Sequence, residues 1–338
     1  MQKNIYICPA SGEKLELIIE EESNGIIKNG VLQNSAGVQY RIQNGTPDFT
    51  YPSLTPVQKE QYLYYESNAD AYDNIQGLTF AIQNVEEEKV RKEMVSYLHL
   101  SPSAKVLELA CGTGRDSQNI AALLDQNGEL FVQDISGSML QQCRNKLKKF
   151  SVPVEYSIGN ASYLAFPDNY FDAVYSFGGL NVFSDIKRSL QEMVRVTKPN
   201  GRIVVGDESM PPWLYETEFG KILLNGNPLF KFKLPLEYIP VEARDVMVKW
   251  IIGGVYYLIA FTVGVGEPVG NFNIEIPGRR GGTLKTRYYG QLEGVTEQTK
   301  KSIIQAAAQS NLSVHQWLEQ VLKSAAEKQI KLEDLQNV

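Results

Sequence analysis

Residues 106 to 118, VLELACGTGRDSQ, constrain this chain more than any other stretch. Val106, Leu107 and Leu109 make the apolar run that a strand buried on both faces of a parallel sheet requires. Glu108 puts an acid at the strand's mouth, Gly112 and Gly114 supply a turn, and a helix start follows. Glycine lacks Cβ and tolerates positive φ, so such a turn lets the backbone approach a ligand closely. In open α/β sheets ligands bind at the carboxyl ends of the strands. The stretch therefore predicts an α/β fold with a nucleotide-type cofactor at this turn.

The residues around the turn discriminate between cofactors. A dinucleotide site uses G-x-G-x-x-G with a pyrophosphate on the helix N-terminus. Here Gly112-x-Gly114-x-x-Ser117 lacks the third glycine, and Glu108 would repel a pyrophosphate. The same carboxylate suits the α-amino group of S-adenosylmethionine, whose methionine end is cationic. Asp134 ends the next strand-like run, ELFVQD, twenty residues after Gly114. An acid there can accept hydrogen bonds from both ribose hydroxyls of either cofactor class.

Four segments, VLELACGTGR, VQDISGSML, IGNASYLAFPDNYFDAVYSF and LQEMVRVTKPNGRIVV, resemble the class I S-adenosylmethionine-dependent methyltransferases. They are most similar to the ubiquinone/menaquinone-type branch that acts on small molecules, and they cover roughly residues 60 to 210. The resemblance implies a Rossmann-like, doubly wound, mostly parallel seven-stranded sheet. It implies Glu108, Ala110, Gly112 and Gly114 around the methionine part of the cofactor, and Asp134 on the ribose. Ile135 would pack on the adenine or simply in the core, and Asn160 with Ala161 would meet the adenine edge. Tyr72, Met139, Ser176 and Phe177 complete the implied cofactor set. Relatives often carry an acid where Asn160 stands; its carbonyl oxygen can accept from the adenine amino group instead.

Composition sets outer limits. The 338 residues are 43% hydrophobic and 21% charged, as in ordinary globular proteins. A net charge of −6 argues against broad binding to nucleic acid or anionic membrane. Cys8, Cys111 and Cys143 form no paired framework, which with the absence of an apolar leader core in MQKNIYICPA predicts a reducing cytoplasm. Trp250 to Gly266 is an uncharged run of seventeen residues, near membrane-spanning length. Gly253-Gly254 interrupts it, so the expectation is an amphipathic helix through Ala243, Val246, Met247, Trp250 and Ile251, then a buried strand.

Residues 1–52 read as a small β-rich module similar to the zinc ribbons that precede some methyltransferase domains. Only Cys8 of the expected cysteines is present, so no metal site is predicted. Residues 56–282 are expected to be the methyltransferase core, its segment 56–98 helical with Tyr62, Tyr64, Tyr65 and Tyr72 near the cofactor or packing the helix. Residues 211–240, rich in proline and aromatics, read either as a lid or acceptor wall, with Trp213 and Tyr215 as acceptor contacts, or as a packing or dimer surface. Residues 283–338 read as strand, helix, helix, the second helix capped by Ser313. That order resembles ribbon–helix–helix repressors, with Lys285 and Arg287 as DNA readers. A docking or homodimerising helical hairpin is the other reading. The tail thus offers an alternative function, a cofactor-sensing DNA-binding regulator.

The activated cofactor leaves the protein mainly to position the acceptor and exclude water. His99 and His315 are poorly placed as bases; Asp207 and Glu208, at the end of GRIVVGDE, are the catalytic candidates, with a solvated strand end as the bland reading. SFGGLN offers Gly178, Gly179 and Asn181 to a small-molecule acceptor and lacks the N/D-P-P-Y/F pattern of nucleic-acid amino methylation. The predicted reaction is O- or C-methylation of a small apolar or aromatic molecule.

Overall fold

The computed structural model describes residues 5–279, 281–289 and 295–336. Contacts divide the chain into two units, the first ending at Pro268 and the second beginning at Val269.

The first unit opens with β1 (Glu16–Ser23), β2 (Ile26–Gln33), β3 (Gln39–Gln43) and β4 (Thr46–Phe49), followed by α1 (Pro56–Ile82) and α2 (Glu87–Ser96). Alternation of strand and helix follows: β5 (Lys105–Leu109), α3 (Arg115–Ala121), β6 (Glu129–Asp134), α4 (Gly137–Leu147), β7 (Val154–Gly159), β8 (Phe171–Phe177), α5 (Ile186–Val196) and β9 (Thr197–Glu208). Then come α6 (Glu218–Gly226), β10 (Ala243–Ile251) and β11 (Tyr256–Val263). One sheet of eleven strands runs β1-β2-β3-β4-β7-β6-β5-β8-β9-β11-β10. The expected count of seven is exceeded because the N-terminal strands extend the sheet, β4 pairing in parallel with β7 through Asp48↔Ile158 and Phe49↔Gly159.

Parallel pairing from β4 across β7, β6, β5 and β8 to β9 aligns the carboxyl ends of these strands on one edge. Successive strand side chains point to opposite faces, which splits the core in two. Leu107, Leu109 and Phe131 face one cluster; Val106, Leu130 and Val132 face the other. The first cluster also takes Tyr6, Leu32, Tyr40 and Phe49, so the N-terminal strands share a core with the main sheet. Tyr6 stacks at 4.8 Å on Phe49 and at 5.7 Å on Phe166. Truncating a ring so placed costs about 3–5 kcal/mol. Cys8 is buried beside the Tyr40 hydroxyl, 3.3 Å away.

Two local expectations are corrected. Residues 243–251 are an edge strand, not a helix, paired antiparallel with β11. A register shift between Arg244 and Met247, with Asp245 at φ +49°, breaks the two-residue alternation and imitates helical spacing. In the second unit, Lys285 and Arg287 lie on a helix, α7 (Leu284–Tyr289), so no reading strand is formed there and the repressor-like ribbon is absent. Thr283 explains the switch. Its Oγ1 accepts from the Thr286 N–H at 3.1 Å while its own N–H donates to Thr286 Oγ1 at 2.8 Å, a reciprocal helix cap. Helices α8 (Glu297–Gln309) and α9 (Val314–Gln336) follow, and Ser313 Oγ accepts from the Gln316 N–H at 3.2 Å as the cap of α9. Among the described residues no helix is long and apolar enough to cross a membrane.

Candidate active site

The turn between β5 and α3 sits at the carboxyl edge of the sheet. Gly114 is the helix N-cap, at φ +84°, and a Cβ there would fall 2.7 Å from Cys143 Sγ on α4. The turn is thus shaped by packing as well as by backbone freedom. Gly112 turns its N–H onto Asp134 Oδ2 at 2.8 Å, and the Ser136 N–H donates to Asp134 Oδ1 at 2.9 Å. Burial pushes the Asp134 carboxyl up, and these backbone donors oppose the shift.

A cleft opens above this edge. Tyr72, Ala110, Gly112, Asp134, Ile135, Met139, Asn160 and Ala161 line it together with Gly178 and Gly179. Helix α1 forms its roof with Gln58, Tyr62, Tyr65 and Tyr72. Two carboxylates hold α1 down. Glu66 accepts from Ser136 Oγ at 2.6 Å, and from the N–H and hydroxyl of Ser138 at the start of α4. Burial alone would raise the Glu66 carboxyl, but these serine donors outweigh it and hold the group below its ordinary value. Asp73 bridges Thr113, Arg115 and Lys146.

A second, more polar chamber shares Tyr65, Tyr72, Ala110, Gly112, Gly178 and Val182 with the cleft. Glu108, Phe177, Asn181, Asp207, Glu208 and Tyr256 line it. Glu108 is 2% exposed and its Oε2 has no hydrogen-bond partner. Burial drives its pKa well above the ordinary range, reinforced by Asp116, while Ser117 and Arg91 pull the other way. Arg91 itself is engaged by Asp116 at 2.8 Å and Glu87 at 2.6 Å. Asp207 accepts from the N–H of Asn181 at 2.6 Å and of Glu208 at 2.8 Å; burial, then Glu208, pushes it well up. Glu208 instead meets the Tyr256 hydroxyl, 3.3 Å away.

The remaining expected residues sit elsewhere or are occupied. Gly114 and Ser176 line neither cavity; Ser176 is fully buried in β8 with its hydroxyl unpartnered. Trp213 and Tyr215 line neither: Trp213 is 68% exposed and packs edge-on against Trp250 at 6.1 Å. From the same insertion it is Asn227 and Leu229 that reach the chamber. The Asn160 side chain lines the cleft with its oxygen saturated and one amide N–H committed. Its Nδ2 donates to Tyr51 O at 3.1 Å, and its Oδ1 accepts from the Ser162 N–H and the Ser184 hydroxyl, each at 3.0 Å. Sequence reasoning missed Leu54, Gln58, Gln133, Gly159, Val182, Phe183 and Ser184. Phe183 and Ser184 continue the SFGGLN loop and could have been found by extending it; Leu54 and Gln58 reach the cleft only through the packing of α1. Among the described residues no group of three potential ligands could hold a metal ion.

Comparison with known proteins fits this geometry. Residues 106–201 match a family model described as a methyltransferase domain. The demethylmenaquinone methyltransferase of Symbiobacterium thermophilum is 34% identical over 165 residues, 48% of this chain and 64% of that protein. A ubiquinone/menaquinone biosynthesis C-methyltransferase of Francisella tularensis subsp. novicida is 32% identical over 174 residues, 50% of this chain and 68% of its own length. A solved S-adenosylmethionine-dependent methyltransferase from Aquifex aeolicus aligns with a TM-score of 0.38 at 20% identity, covering 52% of this chain and 88% of that one. The matched region leaves about half of this chain without a counterpart and spans just under two thirds of the first relative. With a strand–turn–helix lining the cleft at the sheet edge and relatives of this identity and coverage, the chain belongs to the S-adenosylmethionine-dependent methyltransferase family.

Proposed function

We propose that the protein transfers the methyl group of S-adenosylmethionine to a small apolar or aromatic acceptor, at oxygen or carbon. The observation that carries this reading is the pairing of two cavities. The cleft beside Asp134 shares Gly178, Tyr65 and Tyr72 with a chamber lined by Glu208 and Tyr256.

The residues present fit the cofactor. The orphaned Glu108 carboxylate faces the chamber end where a cationic methionine moiety would lie, and charge there relieves an otherwise unpaired buried group. Asp134, fixed by two backbone donors, is positioned for ribose hydroxyls, and Ile135, Met139 and Ala161 offer an apolar bed for the base. When bound, the cofactor supplies an electrophilic methyl group on a sulfonium. The chain's contribution is to align the acceptor and keep water out. Tyr65 and Tyr72 roof the junction of the two cavities, and burial pushes the Tyr65 hydroxyl up to about 12 and Tyr72 higher, so both stay neutral donors. Glu208 is the side chain placed to accept an acceptor's proton. Asp207 is not, because backbone N–H groups hold both its oxygens; its work is to fix the loop that carries Asn181.

The relatives named above concern menaquinone and ubiquinone precursors, which makes hydroxylated aromatics the first acceptors to try. Incubating the protein with methyl-labelled cofactor and a panel of phenols and quinols, with product analysis by mass spectrometry, tests the reading. Labelled product that depends on Glu208 supports it; a panel that yields none, with cofactor demonstrably bound, removes the acceptor class.

A further inference from the structure

Resting on that cofactor reading, we infer that Gln133, and not Asn160, reads the base of the cofactor. Three observations converge on it. The Asn160 carboxamide oxygen already accepts from the Ser162 N–H and the Ser184 hydroxyl, and one amide N–H goes to Tyr51 O, so it has no acceptor left for the adenine amino group. The other short polar groups of that wall are similarly tied. Gln58 Oε1 accepts from the Thr55 N–H at 2.9 Å in the cap of α1, and the Ser184 hydroxyl bonds Asn160 and Ser162.

Gln133 is different. It lines the same cleft, is 2% exposed, and its carboxamide oxygen has no hydrogen-bond partner. Buried polar groups in native proteins are almost always satisfied, so an orphan in a ligand cleft indicates that the ligand satisfies it. Its position is also right. Gln133 immediately precedes Asp134, the ribose residue of the proposed reading, and its amide lies against Gly159 at the start of the Gly159–Ala161 wall. A Cβ on Gly159 would come 3.0 Å from the amide carbon and oxygen and 3.2 Å from the nitrogen, so this glycine keeps the carboxamide's berth open. A carboxamide carries an acceptor and a donor side by side, matching adenine's amino group and its neighbouring ring nitrogen. Rotation about the terminal torsion exchanges its oxygen and nitrogen, so either can be presented.

The test compares S-adenosylhomocysteine with its 6-deamino (purine) analogue, in which a hydrogen replaces the amino group so that no rotation of the carboxamide restores the lost contact, by titration calorimetry on the full chain. Wild type is expected to favour the adenosyl compound by about 10- to 100-fold. Gln133→Met keeps the length of the side chain, removes donor and acceptor, and should bring that preference below about threefold. Gln133→Asn withdraws the amide by one methylene and should have the same effect, which keeps the test valid if one variant folds poorly. Asn160→Ala should weaken both compounds alike and leave the preference intact. Because each preference is a ratio on one protein, a general loss of stability cancels. A Gln133→Met or Gln133→Asn preference equal to wild type, a wild type with no preference, or a preference lost in Asn160→Ala would each overturn the inference while the cofactor reading stands. Failure of wild type to bind S-adenosylhomocysteine would instead overturn the reading beneath it.

Discussion

Replacing Glu108 by glutamine should make the protein more stable and worse at its task. The side chain is 2% exposed, with one oxygen unpartnered, so the free protein holds a carboxyl whose charge Ser117 and Arg91 balance only in part. Burial is the main cause of its raised pKa, with Asp116 second. A raised folded pKa means that the group's stability contribution is present below the unfolded value, about 4.5, and is lost as pH rises toward the folded one. Across that window the loss is about 1.4 kcal/mol per pH unit. Glutamine is nearly isosteric and does not titrate. The melting temperature of Glu108→Gln relative to wild type should therefore climb by about 2 °C per pH unit above pH 4.5 until the wild-type carboxyl has ionised. Differential scanning calorimetry from pH 4.5 to 8.5 reads this difference directly. Cofactor binding should move oppositely, weakening about 10- to 150-fold as a charged contact is lost. Proton release on binding, measured in buffers of different ionisation enthalpy, should be present in wild type and absent in the variant. A melting difference that is flat with pH, or unchanged cofactor affinity, refutes the reasoning.

Asp207→Asn should start about 1–3 kcal/mol less stable than wild type, because one of the two backbone N–H groups loses its acceptor, and should regain ground as pH rises above 4, because burial raises the folded pKa of the wild-type carboxyl; kcat should fall less than in Glu208→Gln, which removes the chamber's proton acceptor and should lower kcat at least about tenfold without moving the cofactor Kd. Gly114→Ala should lower stability by about 1–3 kcal/mol in a denaturant titration, since a Cβ meets Cys143 in a left-handed turn. Glu66→Gln should loosen α1 over the cleft, seen as faster amide exchange confined to residues 58–74, because the Ser136 and Ser138 hydrogen bonds lose their charge.

How much of this was legible beforehand depended on how local the cause was. The β5–turn–α3 unit is written in consecutive residues, and Asp134 at the end of β6 follows from the run that precedes it. Asn160 does line the cleft, but the bonds that occupy its carboxamide oxygen could not be read locally, because Ser184 and the Tyr51 carbonyl come from segments far along the chain. Gln133 was invisible for the reverse reason, as a residue that reads as sheet interior becomes notable only once its lack of partners is known. Residues 243–251 misled through a bulge, and residues 283–289 through β-branched and basic alternation that a two-threonine cap overrides. The extra strands were recognised as β-rich, but their pairing to β7 is a long-range contact that sequence spacing does not encode.

The most direct test is a calorimetric titration of the full chain with S-adenosylhomocysteine at neutral pH, beside the Asp134→Ala variant. The account predicts one site per chain in wild type with micromolar affinity, and at least about a hundredfold weakening in the variant, which loses both a ribose partner and the anchor of the Gly112 N–H. No heat of binding in wild type, or equal affinity in the two proteins, would contradict it.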